Sequence, residues 1–178
     1  NSRVQFVVQG ARPGHGYVPT GGNIIDADLV RSPDTLGRDT IDDLFLSFGI
    51  GRLFDASEVT ILADGSDGGP AIVRARGRDV AWEFIQGAVE ADEPLLPDQN
   101  LDIVTDYELA PDALSLRITT QFTNVGDAPN HFNPTEGFLA SAEDLWPWSA
   151  GRGLVDLEGD ELDALGAVGK WGEGTLSI

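Results

Sequence analysis

Apolar and polar residues alternate along much of the chain, and the clearest case is residues 114–124. Leu114, Leu116, Ile118 and Phe122 are apolar, while most of the residues between them are polar. Successive side chains of a strand point to opposite faces, so one face of this segment is expected on a core and the other in water. The pattern predicts a strand.

The segment just upstream alternates in the same way. Leu101, Ile103, Tyr107 and Leu109 are separated by acidic and other residues, and Ala110-Pro111-Asp112-Ala113 follows. Proline suits the second position of a tight turn because its ring fixes φ near the required value. We therefore predict that the two segments form an antiparallel hairpin.

Further short segments have strand-like patterns, and glycine-rich breakers separate them. Many short strands parted by such turns are typical of an all-β fold. The sequence predicts one domain over residues 1–178, an antiparallel β-sandwich of many short strands with little helix. The five additional strands are predicted at Val4–Val8, Asn23–Val30, Glu58–Ala63, Ala71–Arg76 and Ala81–Ile85.

Residues 40–54 fit both a helix and a strand, since their apolar positions recur at both spacings. Gly49 and Gly51 decide the interpretation, because each glycine weakens a helix by roughly 1 kcal/mol relative to alanine. We therefore predict a strand in this segment.

Composition excludes several classes of partner. The chain has 30 acidic and 11 basic residues, a formal charge of -19, so its field repels nucleic acid. No apolar run approaches the roughly 18 residues of a membrane span, and we expect none. The chain has no cysteine and no methionine. Because Asn1 is not an initiator methionine, we expect a chain processed or excised from a larger exported bacterial protein, extracellular or periplasmic in location.

The chain contains two histidines, His15 and His131. His15 lies in a glycine-rich segment that lacks the Lys-Ser/Thr ending of a phosphate-binding loop, which favours a simple turn. His131 lies in a predicted loop, where it is either solvated or a weak candidate for acid–base chemistry.

Asp64 and Asp67 are the candidate metal ligands. Closely spaced carboxylates in a glycine-rich turn are able to hold calcium, but the spacing of a calcium-binding helix–loop–helix is absent. Asp and Gly are also what ordinary turns use, so a hairpin loop is the favoured interpretation. Calcium is the only cofactor that the sequence suggests.

Trp146-Pro147-Trp148 is the most distinctive aromatic motif. Residues two apart on an extended segment share a side, so the two rings are candidates for a flat platform under a sugar ring. The alternative is that both indoles fill the core, as large aromatic residues usually do.

Three short motifs in residues 101–139 are shared with a known family. They are Tyr107-Glu108-Leu109, Ser115-Leu116-Arg117-Ile118 and Thr123-Asn124-Val125-Gly126-Asp127-Ala128-Pro129. In this combination the chain resembles the galactose mutarotase-like β-sandwich proteins. The resemblance implies a β-sandwich and an active-site loop after the proline.

In that loop the family carries a catalytic histidine, and the matching segment here is Asn133–Phe138. Glu136 stands near the histidine position, while His131 comes five residues earlier. The resemblance therefore implies Glu136 and His131 as candidate catalytic groups. We expect Asn130 and Asn133, together with the two tryptophans of the Trp-Pro-Trp motif, to bind a carbohydrate ligand.

Three functions are compatible with these observations. The first is a non-catalytic accessory or carbohydrate-binding domain, whose partners are carbohydrate and an adjacent catalytic domain. The second is a divergent carbohydrate-active enzyme of the mutarotase-like fold, an epimerase or a related enzyme. The third is a calcium-stabilised adhesion or spacer domain.

Overall fold

The structure is a computed structural model that describes residues 1–14, 16–35, 41–49, 51–89, 96–140, 145–149, 153–154, 166–169 and 175–177. Strands dominate this part of the chain. The first group is β1 (Val4–Val8), β2 (Ile24–Leu29), β3 (Ile41–Phe48), β4 (Arg52–Asp64), β5 (Ala71–Ala81), β6 (Leu101–Leu109), β7 (Arg117–Asn124) and β8 (Pro134–Ala140). A short helix, α1 (Glu83–Ala88), lies between β5 and β6, and β9 (Leu145–Ser149), β10 (Gly153–Leu154), β11 (Gly166–Gly169) and β12 (Thr175–Ser177) follow.

The strands pair antiparallel in two sheets. The larger sheet has the order β1-β2-β3-β4-β5-β6-β7, with β8 paired to β3. The smaller sheet has the order β10-β9-β11-β12. Most neighbours in the larger sheet are also neighbours in sequence, as expected for strands joined by hairpins.

Strand β3 is the junction of the larger sheet. It pairs with β2 at Leu44 and with β4 at Phe48, and β8 runs along it from Ala140 to Pro134. The connection to β4 begins at Gly49, whose φ of +59° lies in the left-handed region that favours glycine. This tight reversal explains why the segment predicted as a strand divides between β3 and β4.

Of the two hydrophobic cores in the described part of the chain, the larger contains side chains from all along the larger sheet, from β1 to β7. Side chains from β2–β6 meet in one buried cluster, with flanking side chains from β1 and β7. The Tyr107 hydroxyl on β6 crosses this core and donates to the carbonyl oxygen of Gly22 at 2.7 Å. The buried members of the cluster are Ile24, Phe48, Phe54, Ala56, Ala75, Leu101, Ile103 and Tyr107.

A smaller core lies on the other face of β3 and β4. Val18, Phe45, Leu53 and Trp82 are its buried members, and Ile85 of α1 is among the side chains that pack against it. On β8, a Cβ at position 137 would collide with the ring of Phe45, so Gly137 permits the close contact between β8 and β3. These contacts fix α1 and residues 16–20 relative to the sheet.

The prediction of an antiparallel all-β fold is confirmed, while the sandwich arrangement and the single domain over residues 1–178 stay predictions. Strand β1 has the predicted bounds, and the hairpin of β6 and β7 has the predicted turn, closed by a bond from the Ala113 amide to the Ala110 carbonyl. The prediction of a strand at Ala81–Ile85 was wrong, because most of this segment lies in the N-cap and first turn of α1. Leu114 also lies outside β7 and is 57% exposed.

Candidate functional site

A shallow cleft opens on the inner face of the larger sheet, and Glu136 is one of its walls. Glu136 lies on β8 directly opposite Leu46 of β3. The cleft spans about 270 Å³, a volume that includes space open to solvent. The space within it is sufficient for about one water molecule. Its lining residues are Leu44, Phe45, Leu46, Thr105, Tyr107, Ile118, Thr120 and Glu136.

The polar groups of this cleft already have partners, apart from the exposed Glu136. Burial, and secondarily the charge of Glu136, raise the pKa of Tyr107, so the phenol stays protonated at neutral pH. Its proton is used in the bond to Gly22. The hydroxyls of Thr105 and Thr120 bond to each other at 3.1 Å. The cleft therefore offers one carboxylate that is able to accept hydrogen bonds from a ligand.

The other residues predicted for the active-site loop do not line this cleft. His131 is exposed in the segment between β7 and β8. The side-chain amide of Asn130 donates to the carbonyl oxygen of Gln99. Asn133 is exposed, and its carbonyl oxygen accepts a bond from the amide of Gly49 at 3.3 Å. Asn130 and Asn133 thus make loop contacts.

Trp146 and Trp148 both lie in β9, in the smaller sheet. Trp146 is opposite Val168 of β11, and Trp148 is opposite Gly166 of β11 and Leu154 of β10. The extended segment that the motif predicted is present. The platform itself stays a prediction.

Asp64 is the last residue of β4, and Asp67 lies in the turn of the β4–β5 hairpin. One oxygen of Asp64 accepts the Ser66 amide at 2.9 Å, and one oxygen of Asp67 accepts the Gly69 amide at 2.9 Å. The bond from Ser66 lowers the pKa of Asp64. Among the residues that the structure describes, no three acidic or histidine side chains are grouped as metal ligands. The favoured hairpin interpretation accounts for both carboxylates.

An aromatic surface lies beside α1, and sequence reasoning missed it. Tyr17 and Phe84 are 43% and 57% exposed, and their ring centroids are 5.6 Å apart. The Tyr17 ring also packs against the buried Trp82, and the centroids of these two rings are 5.9 Å apart. We call Tyr17, Phe84 and the supporting Trp82 the aromatic surface. It presents two apolar rings and the phenol of Tyr17 to solvent.

A buried carboxyl group anchors the segment that carries Tyr17. Asp43 of β3 is fully buried, and its Oδ2 accepts the Val18 amide at 3.2 Å. Its Oδ1 has no hydrogen-bond partner within the described part of the chain, and neither does the Nε1 of Trp82. Burial raises the pKa of Asp43, the amides of Val18 and Tyr17 oppose this rise, and the charge of Asp42 adds to it.

A second buried polar group, Arg52, lies at the start of β4. Its Nε donates to Asp79 Oδ2 at 2.6 Å, and its Nη2 donates to the Asp79 carbonyl at 3.1 Å. Nη1 donates to the carbonyl of Leu96 at 3.3 Å, and Nη2 also bonds to the Asp98 carboxylate. All these partners belong to the fold itself.

Asp79 completes the same network from the other side. Its carboxylate accepts the amides of Gln99 and Leu101 at 2.8 and 3.1 Å. The pair therefore ties residues 96–101 to the β4–β5 hairpin, and we assign it to stability rather than to ligand binding.

Comparison of the chain with protein-family models, with curated proteins and with solved structures found no match. No helix within the described ranges is long and apolar enough to cross a membrane, in agreement with the expectation that the chain has no membrane span. The function must therefore be argued from the site itself.

Proposed function

We propose that this chain is a non-catalytic, carbohydrate-binding accessory domain of a larger exported bacterial protein. The observation that supports this proposal is the aromatic surface. Its two rings are partly exposed and meet at an angle of 63°, and the buried Trp82 packs against the Tyr17 ring. Aromatic faces beside hydrogen-bonding groups suit a sugar ring, which presents both C–H groups and hydroxyls.

The size of the surface favours a sugar over a protein partner. A specific protein interface buries roughly 800 Å² on each partner, far more than two partly exposed rings are able to cover. A sugar unit has the dimensions of one or two rings. Tyr17 also keeps its hydroxyl beside the apolar faces, so a ligand there would find hydrogen bonding and apolar contact together.

Binding to polysaccharides tests the proposal. Insoluble cellulose, chitin and xylan, together with their soluble oligosaccharides, are presented to the intact chain in pull-down and calorimetric measurements. We expect one of these classes to bind, and Y17A and F84A each to weaken binding about tenfold or more. Ile61, which is 72% exposed on β4, provides the matched control, because I61A removes an exposed apolar side chain elsewhere.

Two results would overturn the proposal. One is the absence of binding to every polysaccharide. The other is binding that Y17A and F84A leave unchanged, which would move the site away from the aromatic surface, for example to the Trp-Pro-Trp motif of β9.

The position of Glu136 favours a second candidate, a divergent carbohydrate-active enzyme of the mutarotase-like fold. Glu136 lies on the inner face of the sheet within a cleft that threonine and tyrosine side chains also line. A carboxylate there is able to act as a general base that accepts a proton from a sugar hydroxyl. Polarimetry of freshly dissolved glucose and galactose would detect mutarotation. E136Q should abolish it and E58Q, a change at an exposed position of β4, should not.

A further inference from the structure

One carboxyl group, together with the packing of Val18 in the smaller core, holds the segment that positions Tyr17 on the sheet. Val18 is fully buried, and its amide bonds to Asp43 Oδ2 at 3.2 Å. Gly16 also lies against Asp43, since a Cβ at Gly16 would come within 2.6 Å of Oδ2. A bond from the Gly14 amide to the Pro19 carbonyl, 3.0 Å, closes the base of the segment. These bonds and contacts therefore hold residues 16–20 against Asp43, an arrangement that we call the closed segment.

This carboxyl group lies in surroundings that disfavour its charge. Asp43 is fully buried, and no cation from the described residues forms an ion pair with it. Among the described residues, the segment above it contributes the amides of Val18 and Tyr17, and the charge that acts on it is that of the like-charged Asp42 beside it on β3. An ionised carboxylate without a counter-charge is costly to bury, whereas the neutral acid is much less so.

We propose that Asp43 is a protonation-controlled latch on residues 16–20. The neutral acid stabilises the closed segment, and ionisation favours its opening. Since Tyr17 belongs to this segment, opening separates Tyr17 from Phe84 and dismantles the aromatic surface. Only this last consequence rests on the proposed function, because the latch itself is a property of the fold.

The direction of the pH effect follows from linkage. A group whose pKa is higher in the folded state stabilises that state at acid pH, and the contribution is lost as the pH rises through the folded pKa. The closed segment is therefore expected to be most stable in acid and to loosen toward neutral pH. This is opposite to the behaviour of an ion-paired carboxylate.

The test compares the wild-type chain with D43N between pH 4 and pH 8. At pH 7 we expect D43N to melt roughly 2–4 °C higher, the effect of a small stability change in a domain of this size, and this difference to vanish toward pH 4. Hydrogen exchange of the Val18 amide, corrected for its intrinsic rate, should show protection that falls with rising pH in the wild type and stays constant in D43N.

Two control variants isolate the effect. D42N removes the exposed neighbouring charge, the smallest of the causes acting on the pKa of Asp43, and should keep the pH dependence with a slight displacement to lower pH. H15Q removes the histidine that precedes Gly16 in the sequence and should keep it also. Identical pH profiles of wild type and D43N, in melting and in exchange, would overturn the latch.

The same series separates the latch from the proposed function. If Val18 protection depends on pH but no polysaccharide binds, the latch is supported and the carbohydrate proposal is rejected. If a polysaccharide binds but Val18 protection does not depend on pH, the carbohydrate proposal is supported and the latch is rejected. If D43N fails to fold, constant Val18 protection in the wild type across the pH range is sufficient to reject the latch.

Discussion

Two arginine–aspartate pairs on the β4–β6 part of the sheet use the same chemistry in opposite surroundings. Arg52 and Asp79 have side chains that are 2% and 3% exposed, with a contact of 2.6 Å. Arg74 and Asp106 are 43% and 29% exposed, and their contact is 2.7 Å. The distances are nearly equal, so distance alone does not rank the two pairs.

The partners around each pair make the difference. The buried pair has taken two charges out of water and is stable only because backbone amides and carbonyls satisfy the remaining polar atoms. The exposed pair, like the neighbouring Arg76–Asp102 pair, remains screened by solvent. Removing one partner should therefore lower the free energy of unfolding strongly for the buried pair and only slightly for the exposed pair.

The largest effect is expected for D79A. It leaves the buried Arg52 with only the exposed Asp98 as counter-ion among the described residues, and it leaves two buried amides without acceptors. We therefore expect a loss of about 3–5 kcal/mol in the free energy of unfolding. Urea denaturation measures it. The control is D98A, because Asp98 also contacts Arg52 but is 77% exposed. A similar loss in both variants would contradict the ranking.

A smaller loss in the free energy of unfolding is expected for R52K, because lysine keeps the positive charge. Lysine has a single ammonium group and is unable to reach Asp79, Leu96 and Asp98 with the planar geometry of guanidinium. Unsatisfied acceptors cost about 1–3 kcal/mol, and we expect a change of that size in urea denaturation. A stability equal to that of wild type would mean that charge alone holds this network.

The exposed pair should contribute least in a double-mutant cycle. With R74A, D106A and the double variant, we expect a coupling energy of about 0.2–1 kcal/mol, and it should shrink as salt is added. A coupling of several kcal/mol would remove the distinction between the two pairs.

The pH dependence of the exposed pair is the smallest effect. The bond from Arg74 lowers the pKa of Asp106 below its ordinary value. The stabilisation is therefore present above the unfolded pKa and is lost as the pH falls through the folded one. The stability difference between wild type and D106N is expected to be no larger than the coupling energy and should disappear in acid.

Alternation identified most strands of the larger sheet because one face of each contacts a core. It failed at Ala81–Ile85, where Trp82, Phe84 and Ile85 favour a strand by composition. Packing of Ile85 against the smaller core holds these residues in a helix instead. Trp82, its N-cap, makes no capping bond, so the local sequence carried no helix start signal.

The candidate sites were harder to predict because their members are far apart in the chain. Glu136 was singled out from a motif, and the fold places it in a cleft. Tyr17 and Phe84 meet only through the tertiary packing of α1, and no local pattern joins them. Asp43 looked like any acidic residue in a highly acidic chain, and its burial depends on residues 16–20 covering β3.

The pairing of β8 with β3 also governs the order in which the chain is able to fold. Ser47 on β3 bonds to Thr135 on β8, 88 residues later. During synthesis one edge of β3 stays unpaired until the ribosome has released residues up to 140. Contacts of such long sequence separation slow folding, and open strand edges invite association between nascent chains. The last strand of the larger sheet thus determines how long its central strand is at risk of aggregation.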